Sequence, residues 1–116
     1  MRTLVFLLLT GGLALAADIS GKWVFQVETS GGSGSPTFII KQDGEKLSGS
    51  YSGALGEAKI RGSVKGEEVT IEFDAEGGGQ SAVITYKGKI ESPKKMSGTV
   101  KMATFAAGTW TGTKQE

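Results

Sequence analysis

A short phrase with a central glycine recurs five times along the chain: an apolar residue, any residue, Gly, any residue, and a last residue that is apolar in all but one copy. Each glycine is in phase with its apolar neighbours, so in a strand it faces the same side as they do. Glycine within a strand costs roughly 0.5–1 kcal/mol relative to Ala, a cost that sharply coiled barrel strands require. The phrase therefore predicts a small closed β-barrel. Its copies are Leu47–Tyr51, Ile60–Val64, Tyr86–Ile90, Met96–Val100 and Trp110–Lys114.

Apolar and polar residues alternate with a period of two in eight segments, from Ile19–Val27 to Trp110–Gly112. Such segments, spaced at about 8–12 residues, are typical of an all-β sandwich or barrel. We predict one domain over residues 18–116, an eight-stranded antiparallel up-and-down β-barrel. The alternative architecture is a flattened β-sandwich of the same strands. The apolar set faces inwards, which is the reverse of an outer-membrane barrel, so no membrane insertion of the mature chain is expected.

The first 17 residues have the pattern of a secretory signal peptide. Arg2 gives the positive start, Leu4–Leu9 the apolar core and Ala14–Ala16 the small residues before a cleavage site. We predict cleavage near Ala16 or Ala17 and a secreted or periplasmic product; an uncleaved membrane tether is the alternative. The sequence has no Cys, which excludes both a lipoprotein thiol and disulfides.

Composition excludes several classes of function. The chain has 13 basic and 12 acidic residues with the two signs interspersed, so no basic stripe suggests nucleic acid as a partner. It contains no His, no Cys and no Asn, which removes the commonest general base, the thiol nucleophile and the usual metal ligands. We therefore expect a non-enzymatic protein with no cofactor and no metal site.

The links between the predicted strands differ in composition at the two ends of the barrel. Three of them, at Asp43–Gly44, Lys65–Glu67 and Ser92–Pro93, have the residues of tight turns. The other four predict longer, looser loops: Ser30–Ser35, Ser52–Gly56, Ala75–Gly79 and Ala103–Gly108. In an up-and-down barrel alternate links fall at the same end, so all four loops are expected at one mouth.

Large apolar residues near this mouth are candidates to bind a small apolar ligand, since loops on a rigid scaffold often carry function and eight-stranded barrels can hold one small molecule. The alternative is that these side chains simply fill the interior, as in most small barrels. Either way, a buried Tyr hydroxyl needs a partner. The candidate ligand-binding residues are Phe38, Tyr51, Phe73, Met102, Phe105 and Trp110.

The opposite end of the barrel is predicted to have a structural plug. Gly21-Lys22-Trp23 opens the first strand there, and Lys114 is in phase on the last strand. Trp23 can close the base of the barrel with Lys114 over its ring as a cation–π contact.

The sequence also resembles known families. Gly21-Lys22-Trp23 at the head of a meander, followed by Leu47–Tyr51, resembles the calycins, the group of lipocalins and avidins, which implies a calycin-like barrel. Phe25 stands where avidins have a polar biotin contact, so the resemblance implies no biotin site. Segments that include Ser20–Trp23, Lys41–Gly49 and Gly108–Gly112 are similar to small secreted bacterial barrel proteins of unassigned activity.

Two functions follow from these observations. The first is a secreted barrel that binds a small apolar molecule at the loop-rich mouth. The second is an accessory or interaction module with a filled core and no small-molecule ligand, acting on a protein partner through its outer face or loops.

Overall fold

The computed structural model describes residues 18–77, 79–103 and 106–115. The predicted signal peptide over residues 1–17, its cleavage site and Phe105 lie outside the described residues. Within them every regular element is a strand, and no helix there is long and apolar enough to cross a bilayer. The strands are β1 (Gly21–Thr29), β2 (Gly32–Gly34), β3 (Thr37–Asp43), β4 (Lys46–Gly53), β5 (Gly56–Lys65), β6 (Glu68–Gly77), β7 (Gln80–Ser92), β8 (Lys95–Met102) and β9 (Ala106–Lys114).

The strands form a closed antiparallel barrel. From β3 to β9 each strand pairs with the next, and β1 joins both β3 and β9, which closes the ring. The short β2 is an additional strand: it pairs with the second half of β1 in the register that β3 keeps with the first half. The prediction of an eight-stranded up-and-down barrel is confirmed, and the flattened sandwich is wrong because β9 pairs with β1 and closes the ring of eight strands.

The glycines of the repeated phrase lie where neighbouring strands approach each other closely. A Cβ added at Gly49, Gly62 or Gly98 would fall 1.8–2.0 Å from a backbone carbonyl oxygen of the adjacent strand. At Gly112 the added atom would instead meet the ring of Phe25 at 2.7 Å. These positions thus require glycine because the strands coil sharply, as the sequence predicted.

Aromatic rings pack together in the middle of the barrel. The ring of Phe25 lies 4.3 Å from that of Phe38 and is stacked on Trp110 at 4.4 Å, centroid to centroid. Tyr51 stacks on Phe73 at 4.1 Å. All five side chains are buried, so the centre of the barrel is occupied by its own residues.

The connections at the predicted mouth are shorter than the sequence suggested. Strand β4 ends at Gly53 and β5 begins at Gly56, and β1 and β2 are separated only by residues 30 and 31. The expected loops at Ser30–Ser35, Ser52–Gly56, Ala75–Gly79 and Ala103–Gly108 are largely absorbed into strands, because a glycine-rich backbone can still pair in a sheet. The links after Thr29, Gly53, Gly77 and Met102 do share one end, and we keep the name mouth for that end. The opposite end, with the turns after Asp43, Lys65 and Ser92, is the base.

Candidate functional site

A cavity of about 340 Å³ opens at the mouth. One wall is the glycine-rich segment Gly31–Pro36, which includes β2. The rest of the lining is mainly apolar, and the floor is made by the outermost rings of the core. Besides that segment, the lining residues are Val27, Thr29, Tyr51, Ala54, Leu55, Tyr86, Met102 and Ala106.

Tyr86 places a phenol at this cavity in an unusual state. Its side chain is only 2% exposed, and its hydroxyl makes no hydrogen bond to another residue in the described part of the chain. No buried polar side-chain atom there lacks a partner, so this hydroxyl is not sealed in the core but reaches the cavity that Tyr86 lines. Burial, with a smaller contribution from nearby Tyr51, raises the pKa of Tyr86 well above its usual range. The hydroxyl therefore stays neutral at any physiological pH and keeps a proton to donate.

Tyr51 provides a second hydroxyl in the lining of this cavity. Its oxygen accepts a hydrogen bond from the backbone N–H of Leu55 at 3.2 Å, across the β4–β5 turn. A Cβ at Gly53 would lie 2.7 Å from this oxygen, so glycine at that position makes room for the phenol. Because the hydroxyl accepts from the backbone, its own proton can point elsewhere.

The structure divides the predicted ligand-binding residues into two groups. Tyr51 and Met102 line the mouth cavity. Phe38, Phe73 and Trp110 are buried in the core beneath it. Phe105 lies outside the described residues. Trp110 is further held by its indole N–H, which donates to the carbonyl oxygen of Thr99 at 2.9 Å and that of Lys87 at 3.3 Å.

The two residues of the predicted base plug are cross-strand partners on β1 and β9. Trp23 is fully buried, and its indole N–H donates to the carbonyl oxygen of Ile19 at 2.9 Å. The side chain of Lys114 lies over Gly21, where an added Cβ would be 2.6 Å from its Cε. The ring contacts among the described residues do not include a cation–π pair of Lys114 with Trp23, so the aliphatic part of Lys114 packs against β1 instead.

Sequence reasoning missed three parts of the mouth cavity. It took Ser30–Ser35 for a loose loop, although Ser33 and Gly34 pair with β1 and build a wall of the cavity. It placed Tyr86 inside the barrel without assigning it to a site, and it did not single out Val27. The spacing of Tyr86 from Tyr51 across the barrel depends on strand tilt, which alternation along one strand does not show.

The rest of the described chain offers little ionic chemistry. Its acidic residues do not form a group that could hold a metal ion. Arg61 forms exposed ion pairs on the outer face, with Glu72 at 3.6 Å and with Asp74 at 3.3 Å.

Comparison with known proteins identifies the architecture and goes no further. No family model matches the sequence, and no curated protein does. Among solved structures, a redesigned β-barrel is similar with a TM-score of 0.70 over 84% of this chain and 92% of its own, at 12% sequence identity. At that identity the likeness shows the fold alone.

Proposed function

We propose that this protein is a secreted, non-enzymatic, calycin-like barrel that binds a small and largely apolar molecule at its mouth. The observation that carries the proposal is a cavity of about 340 Å³ into which Tyr86 presents a hydroxyl that makes no hydrogen bond to the described part of the chain. This volume lies at the lower end of the range for small-molecule sites. Secretion rests on the N-terminal pattern of Arg2 and the apolar run after it.

The chemistry of the lining defines the ligand class. Val27, Leu55 and Met102 offer apolar contact, which favours a hydrocarbon or aromatic body. A ligand that covers the neutral hydroxyl of Tyr86 must offer it a hydrogen-bond acceptor, because a hydroxyl sealed from water without a partner costs about 1–3 kcal/mol. The ligand is therefore an apolar molecule with one carbonyl or ether oxygen directed at Tyr86.

A pair of nearly isosteric probes tests this assignment. 2-Acetylnaphthalene carries a carbonyl oxygen and 2-ethylnaphthalene does not, while their apolar bodies are the same. Binding is measured by calorimetry and by the rise in melting temperature that a ligand of the folded state must produce. We expect the ketone to bind about 2–10-fold more tightly, the worth of one net hydrogen bond.

Two variants locate the site. Tyr86→Phe removes only the hydroxyl and should abolish the preference for the ketone. Ala106→Leu fills the cavity and should weaken both probes, whereas Ala107→Leu, on the next and outward-facing position of β9, is the matched control. If neither probe raises the melting temperature, or if Tyr86→Phe keeps the preference, the proposed site is wrong.

A second function, an accessory or interaction module without a small-molecule ligand, is favoured by the packed centre of the barrel. The rings of Phe25, Phe38 and Trp110 fill the middle of the barrel, which therefore has no room for a ligand below the mouth. Affinity capture from the cell envelope, with the protein immobilised, tests it. Recovery of one stoichiometric partner by both the wild type and Ala106→Leu would support this function over the first.

A further inference from the structure

Strands β5 and β6 pair along only half their length. Their register runs from Lys65 opposite Glu68 at the base to Arg61 opposite Glu72 and stops there. Both strands continue towards the mouth, β5 back to Gly56 and β6 on to Gly77. In this described region residues 56–60 and 73–77 have no partner across the line between the two strands. We call this line the β5–β6 seam.

The alternation of an antiparallel ladder determines which backbone groups face the seam. The N–H of Val64 donates to the backbone carbonyl oxygen of Glu45 at 2.9 Å. The backbone groups of even-numbered residues in β5 therefore point to β4, and those of odd-numbered residues point to β6. The N–H of Ile90, on β7, donates to the backbone carbonyl oxygen of Glu67 at 2.8 Å, so backbone groups at odd-numbered positions along β6 point to β7. Those of even-numbered residues in β6 therefore point to β5. The residues whose backbone N–H and C=O groups face the unpaired part are Glu57, Lys59, Asp74 and Glu76.

A surface cleft of about 600 Å³ lies along the seam and is lined by these four residues together with neighbours such as Leu55 and Arg61. Their side chains comprise three carboxylates and one ammonium, which gives a net charge of −2 at neutral pH. Arg61, at the closed end, is already engaged by Glu72 and Asp74. Because Asp74 is paired with Arg61, the open part of the seam has the carboxylates of Glu57 and Glu76 against the ammonium of Lys59, a net charge of −1. It also presents unpaired backbone donors and acceptors.

We propose that the seam binds an extended peptide segment carrying Lys or Arg, which adds as a strand to the open edge of β6. Seam-facing groups recur at every second residue, about 6.8 Å apart, and an extended backbone repeats its own groups at that distance. Open strand edges are templates for strand addition. The carboxylates of Glu57 and Glu76, which Arg61 does not contact, select for cationic side chains on the added strand. This site adjoins the mouth cavity at Leu55, which lines both, and the proposal stands whether or not that cavity takes a ligand.

The probe is the peptide acetyl-Val-Lys-Thr-Lys-Val-amide, titrated into the isotopically labelled protein and followed by amide NMR at low salt. We expect shifts confined to the seam and at least tenfold slower hydrogen exchange at Asp74 and Glu76 when the peptide is saturating. A peptide with an N-methyl group on every backbone nitrogen keeps the charge but has no N–H on either edge to pair with β6, and it should not bind. Acetyl-Val-Glu-Thr-Glu-Val-amide should bind at least tenfold more weakly.

Charge variants separate the seam from general electrostatics. Glu57→Lys combined with Glu76→Lys reverses two seam charges without touching the Arg61 pairs, and we expect it to abolish binding. Glu28→Lys combined with Glu45→Lys changes the net charge equally at exposed positions outside the seam and should leave binding unchanged.

Three results would overturn the proposal. One is equal binding of the N-methylated peptide, because affinity would then come from charge alone. Another is strong exchange protection of Glu57, Lys59, Asp74 and Glu76 in the free protein, because the two strands would then already be paired. The third is a concentration-dependent dimer that covers the seam and excludes the peptide.

Discussion

Substitution of Gly98 by Ala tests the reasoning on which the barrel depends. A Cβ at this position would lie 1.9 Å from the carbonyl oxygen of Lys87, 2.4 Å from the Cα of Gly88 and 2.7 Å from the carbonyl carbon of Lys87. Every one of these atoms is backbone, so no side-chain rotation can relieve the overlap. Strands β7 and β8 must separate by about 1 Å at this point merely to bring the closest contact to the 3.0 Å that real Cβ atoms respect.

The cost of Gly98→Ala can be worked from what that separation disturbs. Two ladder hydrogen bonds around the Gly88–Gly98 pair are weakened, at about 1 kcal/mol each. Overpacking adds about 1–3 kcal/mol. The reduced freedom of the unfolded chain returns about 0.5–1 kcal/mol. We expect a net loss of about 2–4 kcal/mol, a large part of the ~5–15 kcal/mol that holds a typical domain together.

Urea titration followed by tryptophan fluorescence measures this loss. The indole of Trp110 donates to the carbonyl oxygens of Lys87 and Thr99, which flank the glycine pair, so its emission reports on the region. At a slope of about 1–3 kcal/mol per M, the midpoint should fall by about 1 M or more. Gly34→Ala is the matched control, because nothing lies within 4 Å of an added Cβ there. If Gly98→Ala stays within about 1 kcal/mol of the wild type, the close-approach argument is refuted.

Three further outcomes are expected. Trp23→Phe should destabilise the protein by about 1–3 kcal/mol in urea titration, because the carbonyl oxygen of Ile19 loses its buried donor; an unchanged midpoint would contradict the base plug. The unfolding free energy should fall as the pH rises above the usual phenol pKa of 10.0, with a slope of up to about 1.4 kcal/mol per pH unit, because the unfolded chain then releases the Tyr86 proton and the folded one retains it. Tyr86→Phe should lose this component, and equal alkaline profiles for the two proteins would contradict it. Mass spectrometry of the exported protein should give a chain that begins at Ala17 or Asp18, whereas an intact Met1 would contradict the predicted signal peptide.

The barrel and the residues that face its interior could be predicted from the sequence, because both follow from the alternation of apolar and polar residues along each strand. The alternation through Ile60, Gly62 and Val64 predicts that these residues face the interior of the barrel, and the structure places Ile60 and Val64 in the core. The role of the repeated glycines could also be predicted. A glycine in phase with large apolar residues is expected on an inward face only where a neighbouring strand comes too close for a side chain.

The mouth was harder to predict, because glycine-rich stretches carry no alternation. Ser33 and Gly34 have no apolar side chain to mark a phase, so Ser30–Ser35 has the composition of a flexible loop. In the structure their backbone pairs with β1 all the same, and the hydroxyl of Ser35 donates to the side-chain oxygen of Gln26 at 3.0 Å. Composition predicts where a turn is possible, and it does not reveal how far the ladder continues into it.

The β5–β6 seam could not be predicted from the sequence, for a different reason. The period of two in β5 and β6 runs unbroken past Arg61 and Glu72 towards the mouth, as it would in fully paired strands. Whether two such strands remain hydrogen-bonded depends on the coiling and tilt of the whole barrel. No local pattern records that property.

The likeness to a redesigned barrel at 12% identity shows how little the fold itself demands of individual residues. Alternation, tight turns and glycines at close approaches suffice for the architecture, so features beyond that need are informative. A barrel shaped only for stability would have no need of Tyr in place of Phe at position 86, since the hydroxyl makes no hydrogen bond to the described part of the chain. It would also extend the β5–β6 ladder to the mouth, because an open strand edge invites association. The two departures adjoin at Leu55, and each is chemically matched to a different ligand: an apolar molecule with an acceptor oxygen at Tyr86, and a cationic extended peptide along the open edge of β6.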